Sequence, residues 1–258
     1  MIHNSSLINQ AILLSAGLGT RLRDITKGEI PKVMVPLLGK PLLEWHLEAF
    51  KKYGVSDFFI NLHYLPEVIK NYFGDGSKWG VKIQYNFEPE IMGTAGGIKG
   101  FSAEGGSASG GENQLADNFF VIYADTFYQI NYNRIADLYF SLENPIGLGT
   151  VRITDHPEDS DLAIVGENNE VKEFLIKPHK KLPEKSFYGT SAPYIFSKKI
   201  LEYIPENKYY EIDHNLVPDL LARGFKYYAY KLKSDEFRKD IGTADRYHFV
   251  ENYLKNLK

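Results

Sequence analysis

Apolar runs at Ala11–Leu14, Phe58–Leu62 and Phe119–Tyr123 punctuate the first half of the chain, and Val81–Tyr85 alternates apolar and polar positions with period two. Runs of four or five residues have the length of strands, and the continuous ones read as strands buried on both faces. Between them the apolar spacing changes to that of a helix. Leu43, Leu47 and Phe50 fall on one face of a helix predicted over 41–53, with Pro41 in its first turn and Gly54 at its C-terminal cap. Further helices are predicted over 66–73 and 93–101. Strands alternating with helices predict βαβ units and an α/β fold, Rossmann-like, with a mixed, mostly parallel sheet flanked by helices.

The second half is richer in strands and less regular. Ala163–Gly166 and Glu170–Val171 around Glu167-Asn168-Asn169 predict a hairpin, and strands are expected at 174–177, 188–196 and 225–230. Helical patterns return at 215–223, before Gly224, and at 243–257. Ser102–Gly111 is rich in glycine and serine and reads as a surface loop. No linker divides the chain, so residues 1–258 are expected to form one domain.

Composition narrows the function. Thirty basic residues against 33 acidic ones leave a net charge of −3, which lacks the basic surplus that a nucleic-acid binder needs. No cysteine is present, so thiolate chemistry and cysteine-ligated metals are excluded. The N-terminus lacks the basic start and long apolar run of a secretory signal, and no apolar stretch approaches the length of a membrane span. A cytoplasmic protein without membrane partners is the expectation.

The strongest chemical signal follows the first apolar run, in Ser15-Ala16-Gly17-Leu18-Gly19-Thr20-Arg21-Leu22, with Pro31-Lys32 further on. Glycines in a turn after a strand let backbone N–H groups approach a phosphate, Arg21 adds a planar fork, and Lys32 a compact charge. The same residues also suit a plain glycine turn with surface cations. The third glycine of the dinucleotide fingerprint is replaced by Leu22, and the Gly-Lys-Ser/Thr end of a P-loop is absent.

Gly17-Leu18-Gly19-Thr20-Arg21-Leu22, Pro31-Lys32 and Pro36-Leu37-Leu38-Gly39-Lys40-Pro41-Leu42 together resemble the signature of the sugar-1-phosphate nucleotidyltransferases. The resemblance continues in order through Glu88-Pro89, Gly93-Thr94-Ala95-Gly96-Gly97, Ala124-Asp125-Thr126, Lys177-Pro178 and Asp240-Ile241-Gly242-Thr243. It implies a nucleotide half over roughly 8–130 and a sugar-phosphate half over roughly 131–258. It implies a reaction in which a sugar-phosphate oxygen attacks the α-phosphorus of a nucleoside triphosphate and pyrophosphate leaves. It also implies a nucleotide site at Leu14, Ala16, Gly17, Gly19, Thr20, Arg21, Glu88, Gly93 and Thr94. Arg21, Lys32 and Asp125 would carry catalysis, Lys177 and Thr190 the sugar phosphate, and Asp125 with Asp240 a Mg²⁺ ion. Taken singly, Asp125 reads as a capping residue, Asp240 as a loop acid and Lys177 as a surface lysine.

Departures from the family pattern concern mostly the sugar. Ala124 stands where a glycine usually precedes the metal aspartate, Ile176 where a sugar-contacting glutamate is common, and Thr190-Ser191-Ala192 where Asn-x-Gly is common. The loop before Pro31 is about one residue longer. The run from Glu88 to Gly97 resembles the branch that pairs GTP with mannose- or heptose-type 1-phosphates. Glu44-Trp45-His46-Leu47 with Gly74-Asp75-Gly76-Ser77 resembles uridylyltransferases, so a uridylyl or thymidylyl enzyme is the alternative. A metal-dependent glycosyltransferase fits less well, because Asp125-Thr126-Phe127 lacks the Asp-x-Asp of that class. A regulatory homologue would not need all the charged positions. The histidines show no metal-ligand spacing and read as surface or core residues. A homo-oligomer is left open.

Overall fold

The computed structural model describes residues 8–102 and 115–256. The N-terminal seven residues, the glycine- and serine-rich stretch beyond Ser102, and Leu257 at the end of the last predicted helix lie outside the described residues. Strand β1 (Gln10–Leu14) runs into the glycine turn, and α1 (Arg23–Thr26) follows it. A small ribbon, β2 (Pro36–Leu37) and β3 (Lys40–Pro41), leads into α2 (Leu42–Lys51). Then come β4 (Asp57–Leu62), α3 (Pro66–Phe73), β5 (Lys82–Phe87), α4 (Gly93–Lys99) and β6 (Asn118–Tyr123). Next are β7 (Thr126–Gln129), α5 (Tyr132–Ser141), β8 (Gly147–Arg152), β9 (Leu162–Val165), β10 (Val171–Leu175) and β11 (Tyr188–Ser197). The chain closes through α6 (Val217–Ala222), β12 (Tyr227–Lys231), β13 (Phe237–Asp240) and α7 (Ala244–Lys255).

The main sheet is mixed and continuous across both halves. Its order is β10-β9-β11-β6-β1-β4-β5, with β8 joined to β11 and β12 to β8. Strands β6, β1, β4 and β5 are mutually parallel, as the apolar runs predict. The later strands bring antiparallel pairs, β11 against β6 and β8, and β9 against β10 and β11. Helix α2 presents Leu43, His46, Leu47 and Phe50 to the sheet, and Phe50 stacks tilted on Tyr132 of α5 at 4.1 Å between ring centroids. Burial of apolar surface, aliphatic and aromatic together, is the main stabilising term of the core.

The sequence reading leaves 126–152 without elements, where the structure forms β7, α5 and β8. The apolar positions of α5, Tyr132, Ile135, Ala136 and Tyr139, do follow helical spacing, and Asn131 caps the helix by accepting from the Asn133 N–H. The two strands expected at 170–171 and 174–177 are one strand, β10. Upstream of α6 the backbone adds a π-helical turn, Ile212–Leu216, ahead of the helix expected from 215. The second small sheet pairs β13 with β7, and its register places Asp240 opposite Thr126.

Candidate active site

The carboxyl ends of β1, β4 and β6 open onto a cleft of about 580 Å³. In parallel sheets this edge is where ligands bind, because the connecting loops there diverge. The turn after β1 forms one wall. Gly19 has φ of +63°, and a Cβ on it would lie 2.8 Å from Cβ of Lys32. Only glycine tolerates both that conformation and that approach. A Cβ on Gly17 would meet nothing within 4 Å, so this residue faces open space in the cleft.

Opposite the turn stands a pair of carboxylates. Lys32 is buried, and its Nζ donates to Oδ2 of Asp125 at 2.6 Å. The Ile241 N–H donates to the Asp125 carbonyl at 3.1 Å, which continues the β7–β13 pairing and brings Asp240 to the same place. A Cβ on the intervening Gly242 would lie 2.9 Å from Asp240 Oδ1, 3.5 Å from Arg21 Nη2 and 3.6 Å from Lys32 Nζ. Arg21, Lys32 and Asp240 thus converge around one residue of the cleft wall. Burial works to raise the Asp240 carboxyl, but hydrogen bonds from Arg246 and the Gly242 N–H, with the charges of Arg246 and Lys32, hold it below the usual range. Two half-exposed carboxylates are a hard, oxygen-only donor set that fits a divalent cation. Among the described residues no group of three or more acids and histidines could hold a metal by itself. The two carboxylates could supply two ligands to such a cation, with phosphate oxygens supplying the rest.

Behind Asp125 lies His46, buried in the core. Its Nε2 donates to the Ala124 carbonyl at 3.1 Å, the peptide just before the aspartate. Burial pushes this imidazole down to about 4, against the pull of that bond and of the Asp125 charge.

Glu88 and the Gly93–Thr94 corner close the far end. The Ser15 N–H donates to Asn61 Oδ1 at 2.6 Å, and Asn61 Nδ2 donates to Glu88 Oε1 at 2.7 Å. The Met92 N–H donates to the other Glu88 oxygen at 3.0 Å. Glu88 is therefore a buried brace for the turn and for the start of α4, with each oxygen already engaged. Gly93, at φ of +78°, lets the backbone approach Tyr210, and Thr94 Oγ1 accepts from the Ile212 N–H at 2.8 Å.

The second half of the chain contributes a wall that sequence reasoning missed apart from Lys177. Asp161, Glu211, Asp213 and His214 line the cleft with Tyr123. His214 joins two of the acids, with Nε2 at 3.1 Å from Asp161 Oδ2 and Nδ1 at 3.1 Å from Glu211 Oε2. Asp213 accepts from the hydroxyls of Tyr123 and Tyr194, both at 2.8 Å. Burial pushes its carboxyl up to about 6, the two tyrosine hydroxyls oppose the rise, and the Asp161 charge adds to it. The only signal in the sequence was a dense run of ionisable groups, Glu211-Ile212-Asp213-His214, just before a predicted helix. The π-helical turn is what aims it inward, a distortion often found at functional positions.

Leu14, Ala16, Gly17, Gly19, Thr20, Arg21, Lys32, Glu88, Gly93, Thr94, Asp125 and Lys177 all line this cleft. Thr190 does not. It sits in β11, where its N–H and hydroxyl both donate to the Asp161 carbonyl, at 2.9 and 3.3 Å, so it supports an acid of the wall from beneath. Asp240 reaches the cleft only through Gly242. Ile176 is also absent from the lining.

The family model described as Nucleotidyl transferase matches residues 10–256. The D-glycero-alpha-D-manno-heptose 1-phosphate guanylyltransferase of Campylobacter jejuni is 30% identical over 94% of this chain and 99% of its own length. The UTP–glucose-1-phosphate uridylyltransferase of Synechocystis is 28% identical over 92% of this chain, which spans only 61% of that protein. The crystal structure of HddC from Yersinia pseudotuberculosis superposes with a TM-score of 0.72 at 25% identity, covering 96% of this chain and all of that one. No helix among the described residues is long and apolar enough to cross a membrane.

Proposed function

The chain belongs to the nucleotidyl transferase family, and from that premise we propose that it joins a nucleoside triphosphate to a sugar 1-phosphate, GTP with a mannose- or heptose-type 1-phosphate. The observation that carries the reading is the convergence of Arg21, Lys32, Asp125 and Asp240 beside the glycine turn, with Lys177 in the same cleft. Reactions of this kind ask for positioning and charge neutralisation more than for covalent chemistry. The turn from Gly17 to Thr20 cradles the triphosphate, and Gly17 leaves it room. Arg21 holds the departing pyrophosphate. Lys32, kept in place by Asp125, faces the α-phosphate and balances the charge that builds as the sugar phosphate attacks. Lys177 holds the attacking phosphate, and the wall from Asp161 to His214 receives the sugar. Asp125 and Asp240 would hold Mg²⁺, which supplies Lewis-acid neutralisation of the phosphate oxygens.

The guanylyl choice is supported by the full-length match to the heptose enzyme. Glu88, buried with both oxygens engaged, bears on the base only through the backbone at the start of α4 that it braces. The uridylyltransferase match makes UTP the alternative. A cytoplasmic location follows from this metabolic reading. The deciding experiment is pyrophosphate release with Mg²⁺ across five nucleoside triphosphates, each paired with a panel of hexose and heptose 1-phosphates. Release with GTP and a manno-configured substrate supports the reading. Release only with UTP moves the chain to the alternative, and silence from folded protein overturns the activity.

A further inference from the structure

Asp240 is engaged by a cation from outside the cleft. Nη1 of Arg246 lies 2.6 Å from its Oδ1 and 2.8 Å from its Oδ2, while Oδ1 also accepts from the Gly242 N–H at 3.0 Å. Arg246 belongs to the first turn of α7, which Thr243 caps. A cation is unfavourable there, because the exposed N–H groups already make that helix end positive. Asp245 in the same turn is the residue type that the position favours. The misplaced charge of Arg246 is compensated by Asp240 alone: among the described residues its side chain makes no other hydrogen bond or ion pair. One nitrogen serves both oxygens, so the contact lacks the two-pronged geometry that makes arginine–carboxylate pairs strong. Both partners are partly open to solvent, at 44% and 33% exposure. Such a pair is easily exchanged.

We propose that Arg246 competes with the divalent cation for Asp240. It lowers the affinity of the free protein for the metal, so the cation is held only when nucleotide phosphates arrive with it and outbid the arginine. The effect on the other carboxylate is parallel, since Lys32 occupies Asp125. Arg246 is thus a positioning residue that acts through Asp240. The inference rests on the reading of Asp240 as a metal ligand.

The test is Mn²⁺ binding, read by water-proton relaxation, on the full chain without nucleotide and again with GTP. Arg246→Met should bind Mn²⁺ about tenfold more tightly than the wild type without nucleotide, equivalent to about 1.4 kcal/mol, and the gain should shrink with GTP. Arg246→Lys, which keeps the charge, should fall between them. The gain should vanish in Arg246→Met combined with Asp240→Asn. Unchanged or weaker Mn²⁺ binding by Arg246→Met, while Asp240→Asn alone weakens binding with GTP, overturns the competition and leaves Asp240 a ligand. If Asp240→Asn has no effect with GTP, the metal reading of Asp240 itself fails. A melting curve identifies any variant whose folding has changed.

Discussion

Lys32 and Asp125 lie 93 positions apart in the chain and meet at 2.6 Å across the cleft. The lysine is buried and its partner is more open, with side-chain exposures of 10% and 41%. A buried ammonium needs such a partner, because removing a charge from water without one is costly. The pair therefore links folding to function. Asp125→Asn keeps the shape and removes the charge, so turnover should fall at least a hundredfold, by analogy with the loss of a preorganised electrostatic group. Steady-state kinetics at saturating Mg²⁺, with a melting curve alongside, checks this. Near-normal turnover would remove Asp125 from the mechanism.

The two glycines of the turn should separate binding from stability. Gly17→Ala adds a methyl group to open cleft space and should leave the melting temperature nearly unchanged while raising KM for the nucleotide. Gly19→Ala meets both a left-handed φ and Cβ of Lys32 at 2.8 Å, so it should cost about 1–3 kcal/mol of stability. Equal nucleotide affinity for wild type and Gly17→Ala would mean that no phosphate passes this point.

Lys177 lines the cleft, and its Nζ donates to the Asp159 carbonyl at 3.1 Å. Lys177→Ala should raise KM for the sugar phosphate about tenfold or more, the loss of one charge-assisted phosphate contact, with KM for the nucleotide little changed. A selective effect on the nucleotide would place this lysine in the other half-site.

His46 and Asp213 should tilt stability in opposite directions between pH 4 and 6.5. The imidazole is pushed down to about 4 from 6.5, so the unfolded chain binds its proton first and stability falls as pH drops through that window. The Asp213 carboxyl is pushed up to about 6 from 3.8, so the native state holds that proton and stability falls as pH rises from 4 to 6. Each contribution is on the order of 3 kcal/mol and they largely cancel in the wild type. Asp213→Asn removes one side of the balance. Denaturant melts of this variant should lose stability on acidification more steeply than wild type, and parallel curves would show that Asp213 ionises at its ordinary pH.

Much of the glycine-turn wall of the cleft was legible because its signals are local. A strand, a glycine turn, Arg21 and Lys32 within 22 positions, from Ala11 to Lys32, need no long-range information to be read. Strands β1, β4, β5 and β6 and helices α2, α3 and α4 were legible for the same reason, since apolar periodicity reports which face a segment buries. The resemblance to the nucleotidyltransferases then linked distant motifs that periodicity alone could not join.

The wall from Asp161 to His214 was mostly invisible for the opposite reason. Tyr194, which meets Asp213, lies just past a register shift in β11, and Asp213 itself sits in a π-helical turn. Neither feature leaves a periodic trace. Thr190 was placed at the site by motif position, whereas the pairing of β11 turns it beneath Asp161. The sequence by itself determined many of the segments that become strands and helices and where the glycine turn after β1 begins, since these depend on neighbours a few residues apart. Only the tertiary structure decided that Lys32 meets Asp125, that Asp240 arrives through β13 with Arg246 attached, and that Asp161, Glu211, Asp213 and His214 wall the other side of the cleft. Those depend on strand register and crossovers that bring residues together across long stretches of chain, and no local pattern encodes them.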